Sequence, residues 1–147
     1  MRALLQRVSQ ASVTIEGTIK SRIGTGLVVF LGVRTGDTRP LADRLVQKIV
    51  QLRVFPDAEG KMNRSLREIA GELLVVSQFT LYADSSKGNR PSYSAAAQKE
   101  LAQELYDYFV ERCQATGLPV STGIFQAHMQ VGLVNDGPVT ILCEAES

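Results

Sequence analysis

Between Gly26 and Arg34 the chain runs Leu27-Val28-Val29-Phe30-Leu31-Gly32-Val33, without a charge, too short for a long helix and rich in β-branched side chains. Such a run reads as a strand buried on both faces, which needs a neighbour on each edge and a covering on each side. It predicts a sheet with this segment at its centre. The preceding residues agree: from Ala3 onward Leu5, Val8, Val13 and Ile15 recur among polar residues, with a turn at Glu16-Gly17-Thr18, so a β-meander opens the fold. A length of 147 residues suits a single domain over 1–147 with one core. With 44% hydrophobic and 21% charged residues and five prolines, neither disorder nor a fibrous repeat is indicated.

Helices are expected on either side of a second strand. Pro40 suits a first helical turn, and Leu41, Leu45, Ile49 and Leu52 follow at helical spacing. Residues 57–71 read as a long loop with one helical turn near Leu66. Glu72 to Tyr82 reads as a strand, stopped by the polar loop from Asp84 to Pro91. Ser94 is expected to cap a second helix with Leu101, Leu105, Tyr108 and Phe109 on its apolar stripe, ending near Gly117 with Pro119 beyond. Strands are expected again at Val120–Ile124, Met129–Val134 and Val139–Cys143, the last two joined by Asn135-Asp136-Gly137-Pro138. The class is α+β.

Several function classes lose support. A net charge of +1 gives no field that would wrap duplex nucleic acid, so a nucleic-acid contact should be small and local. The first residues lack the apolar core of a signal peptide and no 18-residue apolar run occurs, which predicts a cytoplasmic protein without membrane contact. Cys113 and Cys143 lack metal-ligand spacing and read as buried thiols, and a single histidine, His128, leaves zinc without an evident ligand set. No metal or cofactor is expected. A serine or cysteine triad would need that one histidine, which reads as solvent-facing or packed.

Two segments could carry chemistry. In Ser77-Gln78-Phe79-Thr80-Leu81-Tyr82-Ala83 an apolar strand acquires hydroxyls and an amide at its end. A regular strand would put Gln78 and Thr80 on one face and Ser77 and Phe79 on the other. All four reach one site only through a bend or through backbone amides; the plainer alternative is polar residues finishing a strand. The second, Asn135-Asp136-Gly137-Pro138-Val139-Thr140, reads on its own as a hairpin turn. Gly-Pro is also a place where a cis bond costs only about 0.5–1 kcal/mol and could hold two carbonyls in parallel. Lys61, Arg64, Lys87 and Arg90 fall in loops, where they could meet phosphates or simply be solvated.

Taken together, Gln6-Arg7-Val8 with Ala11-Ser12-Val13, Gly60-Lys61-Met62-Asn63, Ser77 through Ala83, Arg90-Pro91-Ser92 and Val134 through Thr140 resemble the D-aminoacyl-tRNA deacylases over essentially the whole chain. The resemblance implies antiparallel or mixed β-sheets in β/β/α layers with two main helices on the outer face, in a homodimer with active sites at the subunit boundary. It implies hydrolysis of D-aminoacyl-tRNA at the 3′ acceptor end, with Ser77, Gln78, Phe79 and Thr80 as catalytic residues. A cis Gly137-Pro138 from one subunit, fixed by Arg7, would act in the other's pocket as the filter that rejects L-aminoacyl groups. Glycine has no side chain to reject, so glycyl-tRNA, including glycine mischarged on tRNA(Ala), is an expected substrate. Phe125 and Met129 match adenine-seating positions, with ordinary core packing as the alternative. Gln126 stands where that pattern has glycine, and His128 is unusual there. A non-catalytic RNA-end binding module and an editing domain of other aminoacyl specificity remain the competing readings.

Overall fold

The opening of the chain folds as β1 (Arg2–Ile15), β2 (Thr18–Ile23) and β3 (Gly26–Gly32) in the computed structural model, which describes residues 1–147. Glu16 and Gly17, both at positive φ, make the turn between the first two. β2 and β3 share one register against β1, with Ala11 opposite Ile23 and Val8 opposite Gly26; they are two parts of one strand interrupted at Gly24-Thr25. Helix α1 (Arg39–Gln51) has Pro40 in its first turn and buries Leu41, Leu45 and Ile49, as the spacing predicts.

The expected loop after α1 holds a small hairpin instead, β4 (Phe55–Pro56) against β5 (Met62–Arg64). Its strands are too short and exposed to show a hydrophobic period. Polar closure holds it: the Asp57 carboxylate accepts from the amides of Glu59 at 2.8 Å and Lys61 at 3.0 Å and from Asn63 Nδ2 at 3.3 Å. Ser65 and Glu68 then cap each other reciprocally, each amide donating to the other's side chain at 3.1 Å, around the buried Leu66. The expected single helical turn is there.

Strand β6 (Glu72–Ser77) is shorter than expected, because Phe79–Tyr82 leave it as a 3₁₀ turn. Helix α2 (Lys99–Gln114) begins after Gln98, so Ser94 does not cap it. The backbone there is already engaged: Ala95 O accepts from Thr35 N and Ala97 N donates to Val33 O, lengthening the sheet beyond β3. After β7 (Val120–Thr122) comes β8 (Gln130–Glu144), one strand of 15 residues where two strands and a turn were expected. Asp136–Val139 bulge out of it without reversing it.

β2 and β3 lie end to end along one edge of β1 and β8 along the other, with β6 and then β7 following beyond β3; β3, β6 and β7 are parallel and the rest antiparallel. β3 is central, as its composition predicts. Leu27, Val29, Leu31, Leu73 and Val75 face the buried sides of both helices, while Val28, Leu74 and Val76 face Val8, Ala11, Val13 and Ile23 on the opposite side. Each such burial stabilises by roughly 1.5–3 kcal/mol, which makes β3 and β6 the frame for whatever their ends carry.

The first rung of that frame tolerates no side chain at Gly26, where a Cβ would lie 1.9 Å from the backbone oxygen of Glu72. Gly26→Ala is therefore expected to cost about 3 kcal/mol or more, seen as a fall in the urea unfolding midpoint. A change below about 0.5 kcal/mol would contradict the close β3–β6 approach.

Candidate active site

At the end of β6 the Gln78 amide donates to Leu31 O at 2.7 Å, closing the last rung with β3. The chain then turns through Leu81 N to Gln78 O at 3.2 Å and Ala83 N to Thr80 O at 3.0 Å. Gly32 makes room for this turn, since a Cβ there would sit 3.0 Å from Leu81 Cβ and 3.2 Å from Gln78 O. The opening amides of a single 3₁₀ turn have no partner within it, and no side chain caps this one. The N–H groups of Phe79 and Thr80 are thus unpaired donors side by side at a strand end. Gln78 Nε2 donates to Thr80 Oγ1 at 2.5 Å, and Phe79 and Thr80 are exposed while Ser77 and Gln78 are half-buried. The chain bends after Gln78 instead of continuing as a strand, which brings the side chains of Gln78 and Thr80 into contact. Two adjacent preorganised amides suit the oxygen of a carbonyl that becomes negative during attack.

Arg2 holds the far end of this turn, a role the sequence did not advertise. Its Nη1 donates to Leu81 O at 2.7 Å, its Nε meets Glu144 Oε2 at 3.2 Å, and the guanidinium lies 4.5 Å from the centre of the Tyr82 ring. Burial first, then the Asp37 charge, push the Tyr82 hydroxyl up to about 12, so it stays neutral. Gly32 did carry a readable signal, because a lone glycine inside a buried strand marks a close backbone approach.

The second segment lies on β8. Pairing with β1 passes from Gln6 opposite Thr140 to Val8 opposite Asn135, so the intervening residues of β8 bulge outward. The Gly137-Pro138 peptide is cis and both residues are exposed. Arg7 anchors the bulge: its Nε donates to Asp136 O at 2.8 Å and its Nη1 to Val54 O at 2.7 Å, tying β8 to the root of the β4–β5 hairpin. Asn135 closes it, accepting from Val139 N at 3.1 Å and donating to Thr140 Oγ1 at 2.9 Å. Gly137 has φ of +134°, and a Cβ on it would meet Arg7 Nη2 at 2.9 Å.

Within one chain these two segments stay apart. Ser77 is level with Leu31 and hence with Ala3, whereas the bulge is level with Arg7, and β1 and β3 lie between β8 and β6. Three strand spacings of about 4.8 Å and the rise from Ala3 to Arg7 at about 3.3 Å per residue separate them by roughly 20 Å along the sheet.

β7 runs parallel to β6, so the segment following it leaves from the same end of the sheet as the 3₁₀ turn. Phe125 packs with the helix-side core, its ring 6.0 Å from that of Tyr106, while Met129 packs with the opposite cluster and lies over Gly123, where a Cβ would be 2.4 Å from its sulfur. A single chain does not place the two side chains face to face. Gln126 has φ of +66°, the left-handed conformation that favours glycine, which is the physical reason a glycine suits this position. His128, Lys61, Arg64, Lys87 and Arg90 are exposed.

A sequence profile of the family described as D-Tyr-tRNA(Tyr) deacylase matches residues 4–144. The chain belongs to this family. It is 56% identical over 146 residues to a D-aminoacyl-tRNA deacylase of Desulfitobacterium hafniense (strain DSM 10664 / DCB-2), covering 99% of this chain and 98% of that one. It is 58% identical over 141 residues to one from Thermomicrobium roseum, covering 96% and 92%. Among solved structures, a c-Myc DNA Unwinding Element Binding Protein superposes with a TM-score of 0.94 at 42% identity over the full length of both chains. A "probable eukaryotic D-amino acid tRNA deacylase" superposes with a TM-score of 0.81 at 19% identity, covering 97% and 98%, and shows the same α+β fold. As a member of the family the protein is an enzyme, a D-aminoacyl-tRNA deacylase and so a hydrolase.

For this deacylase, Arg2→Ala should loosen the turn without unfolding the sheet. Expected are a kcat lowered about 10- to 100-fold and a KM moved less than about threefold, with partial recovery in Arg2→Lys. Equal loss of folded protein and of activity would mark Arg2 as merely structural. At the other turn, Gln126→Gly should raise stability by about 0.5–1 kcal/mol in urea melts, whereas Gln126→Val should lower it.

Proposed function

We propose that the protein hydrolyses the ester of D-aminoacyl-tRNA as a cytoplasmic homodimer, the whole chain acting as one domain, and rejects L-aminoacyl groups with Gly137-Pro138. The pair of unpaired amides at Phe79 and Thr80 is the observation that carries the reading. The ester carbonyl oxygen of the substrate sits between them, and Ser77 and Gln78 complete the catalytic bend. Water adds to the carbonyl carbon; the resulting oxyanion is held by the two amides, each worth about 10²–10³ in rate. The C–O3′ bond then breaks, giving free amino acid and tRNA with its 3′-hydroxyl. The terminal 2′-hydroxyl of the RNA helps activate the water, and no metal or cofactor enters.

The filter works by obstruction. Carbonyls of the Arg7-anchored bulge lie close to the substrate α-carbon and leave space for a hydrogen but not for an L side chain. The separation of roughly 20 Å along one chain's own sheet supports a bulge supplied by the partner copy, so each site is built from two chains. Phe125 and Met129 offer the terminal adenine an aromatic ring and a thioether at the same end of the sheet as the turn. Glycyl esters present only hydrogens to the filter and are hydrolysed too, including glycine carried by tRNA(Ala).

Kinetics on three substrates check this. D-tyrosyl-tRNA is expected to be cleaved, glycyl-tRNA more slowly, and L-tyrosyl-tRNA at its spontaneous rate. Thr80→Ala should keep most activity, while a 2′-deoxy terminal adenosine should abolish it. The opposite pattern would make Thr80 the nucleophile, and acceleration of none of the three would leave a module that only binds RNA ends.

A further inference from the structure

Beside the 3₁₀ turn lies an aromatic surface that the proposed chemistry does not use. Phe79 is 54% exposed and Tyr93 41% exposed, and their rings stand edge to face with centroids 5.1 Å apart. Tyr93 is planted there by a short closed loop, with Asp84 N donating to Ser92 O at 2.8 Å and Ser92 N to Asp84 O at 2.9 Å. The loop carries Lys87 and Arg90, both exposed and neither ion-paired. The remaining residues from Asp84 to Ser94 are one aspartate, serines, glycine, asparagine and proline, with no valine, leucine, isoleucine or methionine. A protein partner would meet a wider apolar patch. Stacking rings flanked by unneutralised cations and free amides instead match a strand of alternating bases and phosphates.

We propose that Phe79 and Tyr93 form the stacking platform for the base immediately 5′ of the terminal adenosine, with Lys87 and Arg90 facing the phosphates of that single-stranded end. The inference rests on the deacylase reading and adds to it a place where the acceptor end is gripped. The turn is flanked on two sides. On the β7 side lies the Phe125–Met129 segment, assigned above to the terminal adenine. On the β3 side Ala95 and Ala97 bond to Thr35 and Val33, which leaves the loop and Tyr93 for the next nucleotide. Because the ring and one of the oxyanion donors belong to the same residue, Phe79, a base stacked here would set the distance from RNA backbone to ester.

Three Tyr93 variants on two substrates test the platform. Against D-tyrosyl-tRNA, Tyr93→Ala should raise KM about 5- to 150-fold with kcat changed less than about threefold. Against D-tyrosyl-adenosine, which lacks the stacked base, KM should move less than about twofold. Tyr93→Phe should restore tRNA binding and Tyr93→Leu should not. A direct arm measures binding of a short single-stranded RNA ending in cytidine-cytidine-adenosine, which Tyr93→Ala should weaken by the same factor. Equal effects on both esters, a leucine as good as the aromatic, or lost activity accompanied by a changed solution mass would overturn the proposal. Should the wild type cleave no D-aminoacyl ester, the deacylase reading fails. The RNA arm still decides the platform, and equal affinity of wild type and Tyr93→Ala would refute it.

Discussion

Two hydrogen bonds from one guanidinium hold the arrangement together. Where β8 slips against β1, Arg7 donates to Asp136 O and to Val54 O, so the same side chain fixes the bulge and the segment that leads into the small hairpin. Hydrogen bonds from a charged donor are worth about 1.5–3 kcal/mol each, more than a neutral pair, and a planar guanidinium can satisfy two carbonyls on different elements at once. A lysine could reach one of them. The bulge is thereby held in place while Gly137 and Pro138 remain exposed.

The 3₁₀ turn obeys a similar economy. β3 and β6 are buried on both faces, so the end of β6 is fixed by the core, and Gly32 lets the 3₁₀ turn settle onto that end without an intervening side chain. Phe79 and Thr80 then present amides that nothing in the chain accepts. Leaving such donors unpaired costs little where water reaches them, and donors fixed in this way need no reorganisation to meet an oxygen acceptor. Stability is concentrated in the strands, and the unpaired amides lie where the strands stop.

How far the sequence disclosed this follows from which forces shape each part. The seven apolar residues from Leu27 to Val33 announced a central strand, and α1 was readable from Leu41, Leu45 and Ile49, because burial imposes a period. Ser77 to Thr80 could be suspected from a strand turning polar, and the required bend is present. Other features are set by contacts between distant residues and have no local signature. Ser94 reads as a cap, yet the backbone after it is bonded to the end of β3. Asn135-Asp136-Gly137-Pro138 has the composition of a turn, but the residues around it pair with one strand, β1, so it becomes a bulge within β8. The β4–β5 hairpin rests on Asp57 rather than on apolar alternation, and Arg2 acts through Leu81 across most of the chain. The roles given to Arg7, Gly137 and Pro138 came from family resemblance, with the anchoring geometry visible only in the fold.

The most direct test of a filter supplied by another copy is an experimental structure with a non-hydrolysable D-tyrosyl analogue of the terminal adenosine. The analogue's carbonyl oxygen is expected at the Phe79 and Thr80 amides of one chain and its α-carbon against the Gly137-Pro138 carbonyls of a second. Finding the α-carbon against the same chain's Gly137-Pro138, or against no Gly-Pro segment at all, would contradict it.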